Sequence, residues 1–322
     1  IGYLVGEPGE GLKCMFHMMN EARIGIGMAA TMLGMAGYEA SLDYARQRPQ
    51  GRSISGTCKD AAQPQVSIIV HADVKRMLLA QKAYAEGALA LCLYCARLVD
   101  EQKTGNPQAA ANAHLLLEIL TPIAKSWPSQ WCLEGNSMAI QVHGGYGYTR
   151  DFPVEQYWRD QRLNMIHEGT HGIQGLDLLG RKVVMQDGAA FKALGIEMEK
   201  TIRQAQAAKN ADTQRWGVEL AKRIQRLVAV TQALWEAGNP NRTLANSSVY
   251  LEAFGHIVMA WIWLELSLAA SKNYSDAQSD FLHGKWQACR YFFLYELPKV
   301  DAQLDLLASV DTTTLEMQDG WF

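Results

Sequence analysis

A chain of 322 residues with 48% apolar and 20% charged side chains can bury a large core, enough for more than one domain. Its 30 basic and 33 acidic residues leave a net charge of −3 with both signs interspersed, which excludes the basic face a nucleic-acid binder needs. Six cysteines scattered through so long a chain make no disulfide framework; they fit buried thiols in a reducing cytoplasm, the expected location.

The first six residues, IGYLVG, predict a short strand, turned by the EPGEG that follows. A lone strand needs neighbours, so an N-terminal portion is expected to be missing, and targeting signals are then not legible. From Leu12 to about Arg48 the sequence predicts one long helix whose Gly, Ala and Met content suggests a narrow, closely packed face. Met28, Met32 and Met35 are expected to fill core space on it. A polar loop, PQGRSISGTCKDAAQPQ, leads to a second helix over about 72–102. That helix carries Cys92 and Cys95, a single C-x-x-C inside an apolar run, which is a weak metal or redox signal.

A third helix is predicted over about 109–142, distorted at Pro122 and Pro128 and stopped at Gly144-Gly145. The segment GYGYTRDFPVEQYWRD then reads as a Gly- and aromatic-rich connection, and a fourth helix begins near Thr170. Long antiparallel helices with such joints predict an all-α fold built on a four-helix bundle. Composition shifts near Gly188, and four amphipathic helices follow, over about 189–209, 211–237, 245–272 and 279–297. The expected organisation is a β remnant over 1–11, a helical-bundle domain over 12–187, and a second helical domain over 188–322 that packs, caps or dimerises. No membrane span is expected: the most apolar run, Ile257–Ala270, is short and is broken by Glu265.

One stretch carries chemistry. From His167 to His171 the chain spells H-E-x-x-H, a zinc-hydrolase pattern, which requires both histidines on one helix face. Gly169 and Thr170 stand between them, a poor helix former and a residue favoured at N-caps. With the helix starting at Thr170, the two imidazoles fall on opposite sides of a turn, and no third ligand is evident; the expectation is no metal. The other reading makes Glu168 a loop carboxylate at a helix N-terminus. Burial there favours the neutral carboxyl and the helix dipole favours the anion, a balance suited to a base that takes a proton from carbon. On spacing alone, an exposed loop glutamate is the better reading.

The motifs EGTHGIQ and, upstream, QVHGGYGYTRDFPVEQYWRDQRL together resemble the C-terminal half of the acyl-CoA dehydrogenase family, in order and at family spacing, over about residues 1–185. The remainder, including YELPKVDAQLDLLASVDTTTLEMQDGWF, resembles the extra C-terminal helical domain of one large subgroup. The resemblance implies α,β-dehydrogenation of an acyl-CoA thioester to the trans-2-enoyl-CoA with FAD, in a homodimer or dimer of dimers that passes electrons to an electron-transferring flavoprotein. Glu168 matches the family's α-proton base. Gln141, Gly144 and Gly145 match the segment that approaches FAD from a neighbouring subunit, and Arg48 matches an arginine that meets the FAD diphosphate across the dimer. Thr170 matches a FAD-contacting threonine; Asn20 and Arg23, in MNEAR, match a D-x-x-R segment near the CoA moiety. His167 stands where many members have Tyr, and Gly172 where many have Gln, which leaves acyl specificity open. The family's N-terminal helical domain and most of its β-domain have no counterpart here, so the 322 residues alone are expected to bind FAD poorly and to lack activity. An acyl-CoA oxidase or flavin monooxygenase on the same fold is the alternative.

Overall fold

The computed structural model describes residues 1–52, 63–272 and 279–322, the side chains of Phe16, His17, Asn20 and Lys272 excepted. The expected contact of the Asn20 side chain with substrate, Cys58, and the middle of the loop after Arg48 therefore lie outside the described residues. Three long helices make the frame: α1 (Gly11–Gln47), α2 (Ala72–Thr104) and α3 (Pro107–His143). Asn106 starts α3 by accepting from the Ala109 N–H at 2.9 Å, and Pro107 takes the first helical position, where no N–H is needed. Both internal prolines stay within α3. Pro128 cannot donate to the Ala124 carbonyl, and Gly27 of α1 fills the space beside it: a Cβ on Gly27 would stand 2.0 Å from that oxygen. Gly34 and Gly37 meet Cys132 and Asn136 in the same way, so α1 lies flush on α3.

The methionine stripe does not fill this core. Met32 is 50% exposed, and Met28 and Met35 are half-buried, because the glycines rather than the methionines face α3. The expected strand is also absent: residues 1–5 form no β pairing among the described residues, and Tyr3, Leu4 and Val5 are exposed. A single strand has no ladder to satisfy its backbone, and among the described residues no other strand is present.

The segment expected to be a plain connection contains α4 (Val154–Leu163), entered from Pro153. The fourth long helix is a relay instead. It runs through α5 (His171–Asp177), one π turn at Leu178–Lys182, and α6 (Met185–Gln206). Gln186, Asp187 and Gly188 all have positive φ, so the chain breaks direction where composition shifts. Beyond it come α7 (Ala211–Glu236), α8 (Pro240–Leu244), α9 (Ser247–Lys272), α10 (Ser279–Tyr291) with a π turn to Glu296, α11 (Lys299–Ala308), which periodicity did not suggest, and α12 (Thr313–Glu316).

Helix α9 runs further than its most apolar stretch suggested, and by length and composition it could cross a membrane. Most of it is buried in the protein. Glu265 is accommodated by a hydrogen bond from the Thr201 hydroxyl, which also accepts from the Trp261 indole at 2.7 Å. Trp263 donates to the Ala83 carbonyl of α2 at 3.0 Å, and Trp127 of α3 donates to His256 at 3.3 Å. One continuous core thus runs from Ile24 in α1 to Leu307 in α11.

Candidate active site

Two polar patches sit at different points along α3. The first surrounds the loop that ends at α5. Thr170 caps the helix, accepting from the Ile173 N–H at 3.4 Å. Ahead of it, Glu168 and Gly169 both adopt left-handed backbone, with φ of 56° and 90°. The two residues reverse the chain between the Leu163–His167 turn and α5, and the His171 N–H closes the reversal on the Met165 carbonyl at 3.2 Å. A Cβ at Gly169 would meet the Gln174 amide at 2.5 Å, so the loop needs glycine for both conformation and space.

Two buried donors hold this reversal from beneath. Gln174 Nε2 donates to the Glu168 carbonyl at 3.1 Å, and Lys125 Nζ donates to the Gly169 carbonyl at 2.7 Å. Lys125 is fully buried; burial and the neighbouring Arg23 charge pull its ammonium down to about 8, against the opposing pull of the Glu168 carboxylate. Arg23, 7% exposed, is itself held by Asp177 Oδ2 at 3.1 Å, and its buried Nε has no protein partner. The Glu168 side chain is half-buried, and its backbone N–H meets no protein acceptor among the described residues. The structure therefore brings together Glu168, Thr170 and Arg23. It adds Lys125, Gln174 and Asp177, which the sequence did not single out. The available signal was Lys125 itself, one charge in the apolar run Ile119–Trp131.

The zinc arrangement is not built. His167 Nδ1 pairs with the Leu163 carbonyl at 3.0 Å, while His171 turns the other way, its Nε2 3.8 Å from Glu252 of α9. Burial holds the His171 imidazole below its usual range; Glu252 opposes this and Lys125 adds to it. Among the described residues no three His, Cys, Asp or Glu side chains are placed to share an ion. Cys92 and Cys95 are fully buried free thiols, pushed up by desolvation.

The second patch lies at the far end of α3, about 27 Å of helix from Lys125. Gly144, at φ 62°, ends α3, and Tyr44, His143, Tyr146 and Phe152 pack into one aromatic cluster that fixes the turn; Tyr44 stacks on His143 at 4.3 Å. Burial lowers the pKa of His143, whose Nδ1 donates to the Ala139 carbonyl at 2.8 Å. Arg48, the cap residue after α1, lies with its guanidinium 5.5 Å from the Tyr146 ring centre, and its buried Nε has no protein partner. Gly144 and Gly145 are exposed, and a Cβ on either would meet nothing, while Gln141 is exposed one turn back. An arginine donor without a partner beside bare, accessible backbone suits a phosphate. Such a set could hold a diphosphate, and within this chain it does not adjoin Glu168.

Two family models match the sequence: "Acyl-CoA dehydrogenase, C-terminal domain" over residues 9–183 and "Acetyl-CoA dehydrogenase C-terminal like" over 195–318. The chain is 35% identical to the 3-methylmercaptopropionyl-CoA dehydrogenase of Ruegeria pomeroyi over 295 residues, 88% of this chain and 48% of that protein. It is 28% identical to the broad-specificity linear acyl-CoA dehydrogenase FadE5 of Mycobacterium tuberculosis, over 100% of this chain and 54% of the relative. The chain thus spans about half the length of the curated relatives it matches. Its fold is similar to that of Caenorhabditis elegans ACDH-11 in complex with C11-CoA, with a TM-score of 0.76 at 16% identity, covering 96% of this chain and 50% of that one. It is also similar to a Bacillus anthracis acyl-CoA dehydrogenase complexed with FAD, with a TM-score of 0.71 at 18% identity, covering 96% and 51%.

Proposed function

The chain belongs to the acyl-CoA dehydrogenase family, and on that premise we propose that it supplies the proton-abstracting, helical half of a FAD-dependent acyl-CoA dehydrogenase. The observation that carries this reading is the held carboxylate: Glu168 stands at the N-terminus of α5, its own carbonyl and the next one each tied to a buried donor. Its oxygen pair takes the α-proton of the acyl thioester, and the electrons of that C–H bond form the new double bond as the β-hydrogen departs with its pair. FAD, when bound, accepts that hydride. The Glu168 N–H is available to polarise the thioester carbonyl as negative charge develops. Closure of the site by bound substrate strips water from the carboxylate and strengthens it as a base. Arg23, held by Asp177, presents its guanidinium beside the loop, where the CoA moiety is expected.

The second patch serves the cofactor. Arg48 and the Gly144-Gly145 backbone would hold the FAD diphosphate, with Gln141 and Thr170 as further contacts, and the distance between the patches supports a homodimer or dimer of dimers in which each protomer completes its neighbour's site. Electrons then pass to an electron-transferring flavoprotein, in the reducing cytoplasm that the free thiols Cys14, Cys92, Cys95, Cys132 and Cys289 suit. The test uses the complete enzyme that carries these residues. Anaerobic bleaching of its flavin by acyl-CoA thioesters of graded length should disappear in Glu168→Gln; bleaching at the parent rate would remove the base. Rapid reoxidation of the bleached flavin by O₂ would favour the oxidase alternative.

A further inference from the structure

We propose that Lys125 is the positioning residue of the base loop: its ammonium, bonded to the Gly169 carbonyl, fixes the left-handed Glu168-Gly169 pair and so aims the Glu168 carboxylate. This rests on the reading of Glu168 as the base.

Three observations carry it. The contact is made at the peptide that follows the base, 2.7 Å from Lys125 Nζ to the Gly169 oxygen. Glu168 is a non-glycine residue in a conformation that L side chains rarely hold, so neighbours must impose it. Lys125 and Gln174 are the neighbours that do so, one on each of two consecutive carbonyls. Release of either peptide lets the chain relax and swings the carboxylate away.

The second observation is the cost of the device. Lys125 is fully buried in the middle of α3, and its charge is disfavoured there by burial and by Arg23 of α1. The groups facing it are Arg23, Glu168 of the loop and His171 of α5, with Asp177 reaching it only through Arg23. A methionine of similar length would fill the same space without a charge to desolvate. What the lysine adds, and methionine cannot, is the bond to the Gly169 carbonyl.

The third is the pairing of functions. The carbonyl held by Lys125 belongs to the residue between the base and the Thr170 cap, so one bond couples the start of α5 to the direction of the acid side chain.

The experiment compares Lys125→Met, Lys125→Gln and Glu168→Gln in the complete enzyme, by anaerobic flavin bleaching with a straight-chain acyl-CoA from pH 5 to pH 9. Lys125→Met should bleach at least about tenfold more slowly at saturating substrate, since small misplacement of a base is costly. Its KM should hold, because Lys125 does not touch substrate. Its thermal midpoint should stay close to the parent's, so that the loss is one of loop geometry and not of fold. Lys125→Gln, which keeps a hydrogen-bond donor, should recover part of the rate. An unchanged rate in Lys125→Met, with Glu168→Gln inert, would overturn the proposal and leave the base in place. Loss of fold in both lysine variants would overturn it too, making Lys125 a structural residue. If Glu168→Gln bleaches like the parent, the base assignment fails and the proposal with it.

Discussion

Gly175 of α5 packs against the first turn of α9, where a Cβ built on it would stand 2.6 Å from the Ser247 carbonyl oxygen and 3.0 Å from the Ser248 nitrogen. The obstructing atoms are backbone, so they cannot step aside as a side chain would. The helix that carries the base loop is thus seated directly on the second half of the chain, and His171, one residue past the Thr170 cap, faces Glu252 of the same α9. Glu252 is gripped from two more sides, by Gln130 of α3 at 3.1 Å and Gln303 of α11 at 3.0 Å. The additional helices therefore brace the site.

Gly175→Ala should destabilise the protein by about 1–3 kcal/mol, the usual result of overpacking a closed contact. Thermal melts read the loss directly. Gly145→Ala, where a Cβ meets nothing, is the control and should melt with the parent.

How much of this was legible beforehand depends on the range over which the determining contact acts. Thr170 as N-cap, the stop of α3 at Gly144 and the break near Gly188 are local events, settled within a few residues, and the structure has all three. Helix α4 escaped notice because only Val154 and Gln161 of its ten residues are buried, too few for periodicity to register. The methionine stripe misled because hydrophobicity outranks glycine on any apolar scale, whereas close helix packing selects the smallest residue. Lys125 was visible as a lone charge in a greasy run, but its partner lies 44 residues away, and no local rule connects them.

Lys182 is buried and paired with Glu118 of α3 at the π turn that follows α5. Removing one member of such a pair strands the other's charge, so Lys182→Met should cost about 3–5 kcal/mol in urea unfolding. Lys182→Met combined with Glu118→Leu should recover most of it. A double variant as unstable as the single one would mean that the ion pair is not what holds the turn.

Glu296, in the π turn after α10, gives a signature in acid. Burial pushes its carboxyl up, but the His256 imidazole 3.7 Å away and the Lys299 ammonium, which donates to it at 2.6 Å, outweigh that and hold it down at about 2, from 4.5. A carboxylate lowered in the folded state stabilises the fold above its unfolded value and ceases to as pH falls through the folded one. The window is therefore pH 4.5 down to 2. By pH 3.5 the parent should lose on the order of 1 kcal/mol through this group, and Glu296→Gln should show a correspondingly flatter dependence when urea midpoints are compared from pH 6 downward.

The 322 residues expressed alone should take up little FAD, since they span about half the length of the curated relatives they match. Flavin absorbance after reconstitution and desalting measures this. Stoichiometric retention would show that the helical half suffices.

The separation between the two patches makes the sharpest test of the shared site. If Arg48 serves the neighbouring subunit's flavin, then Glu168→Gln and Arg48→Met homodimers are each inactive at low FAD, for different reasons. In a mixed dimer, the intact Glu168 of one subunit faces the intact Arg48 of the other, and one of the two sites is whole. Random mixing makes about half of the dimers mixed, so about a quarter of parental activity should return when the two inactive proteins are co-expressed or refolded together. If Arg48 instead acted on its own subunit's flavin, each site in the mixed dimer would carry one defect and nothing would be restored. The helix length between Lys125 and Gly144 favours the first outcome, because a single FAD diphosphate held at Arg48 lies a full α3 half-length from the base on the same chain.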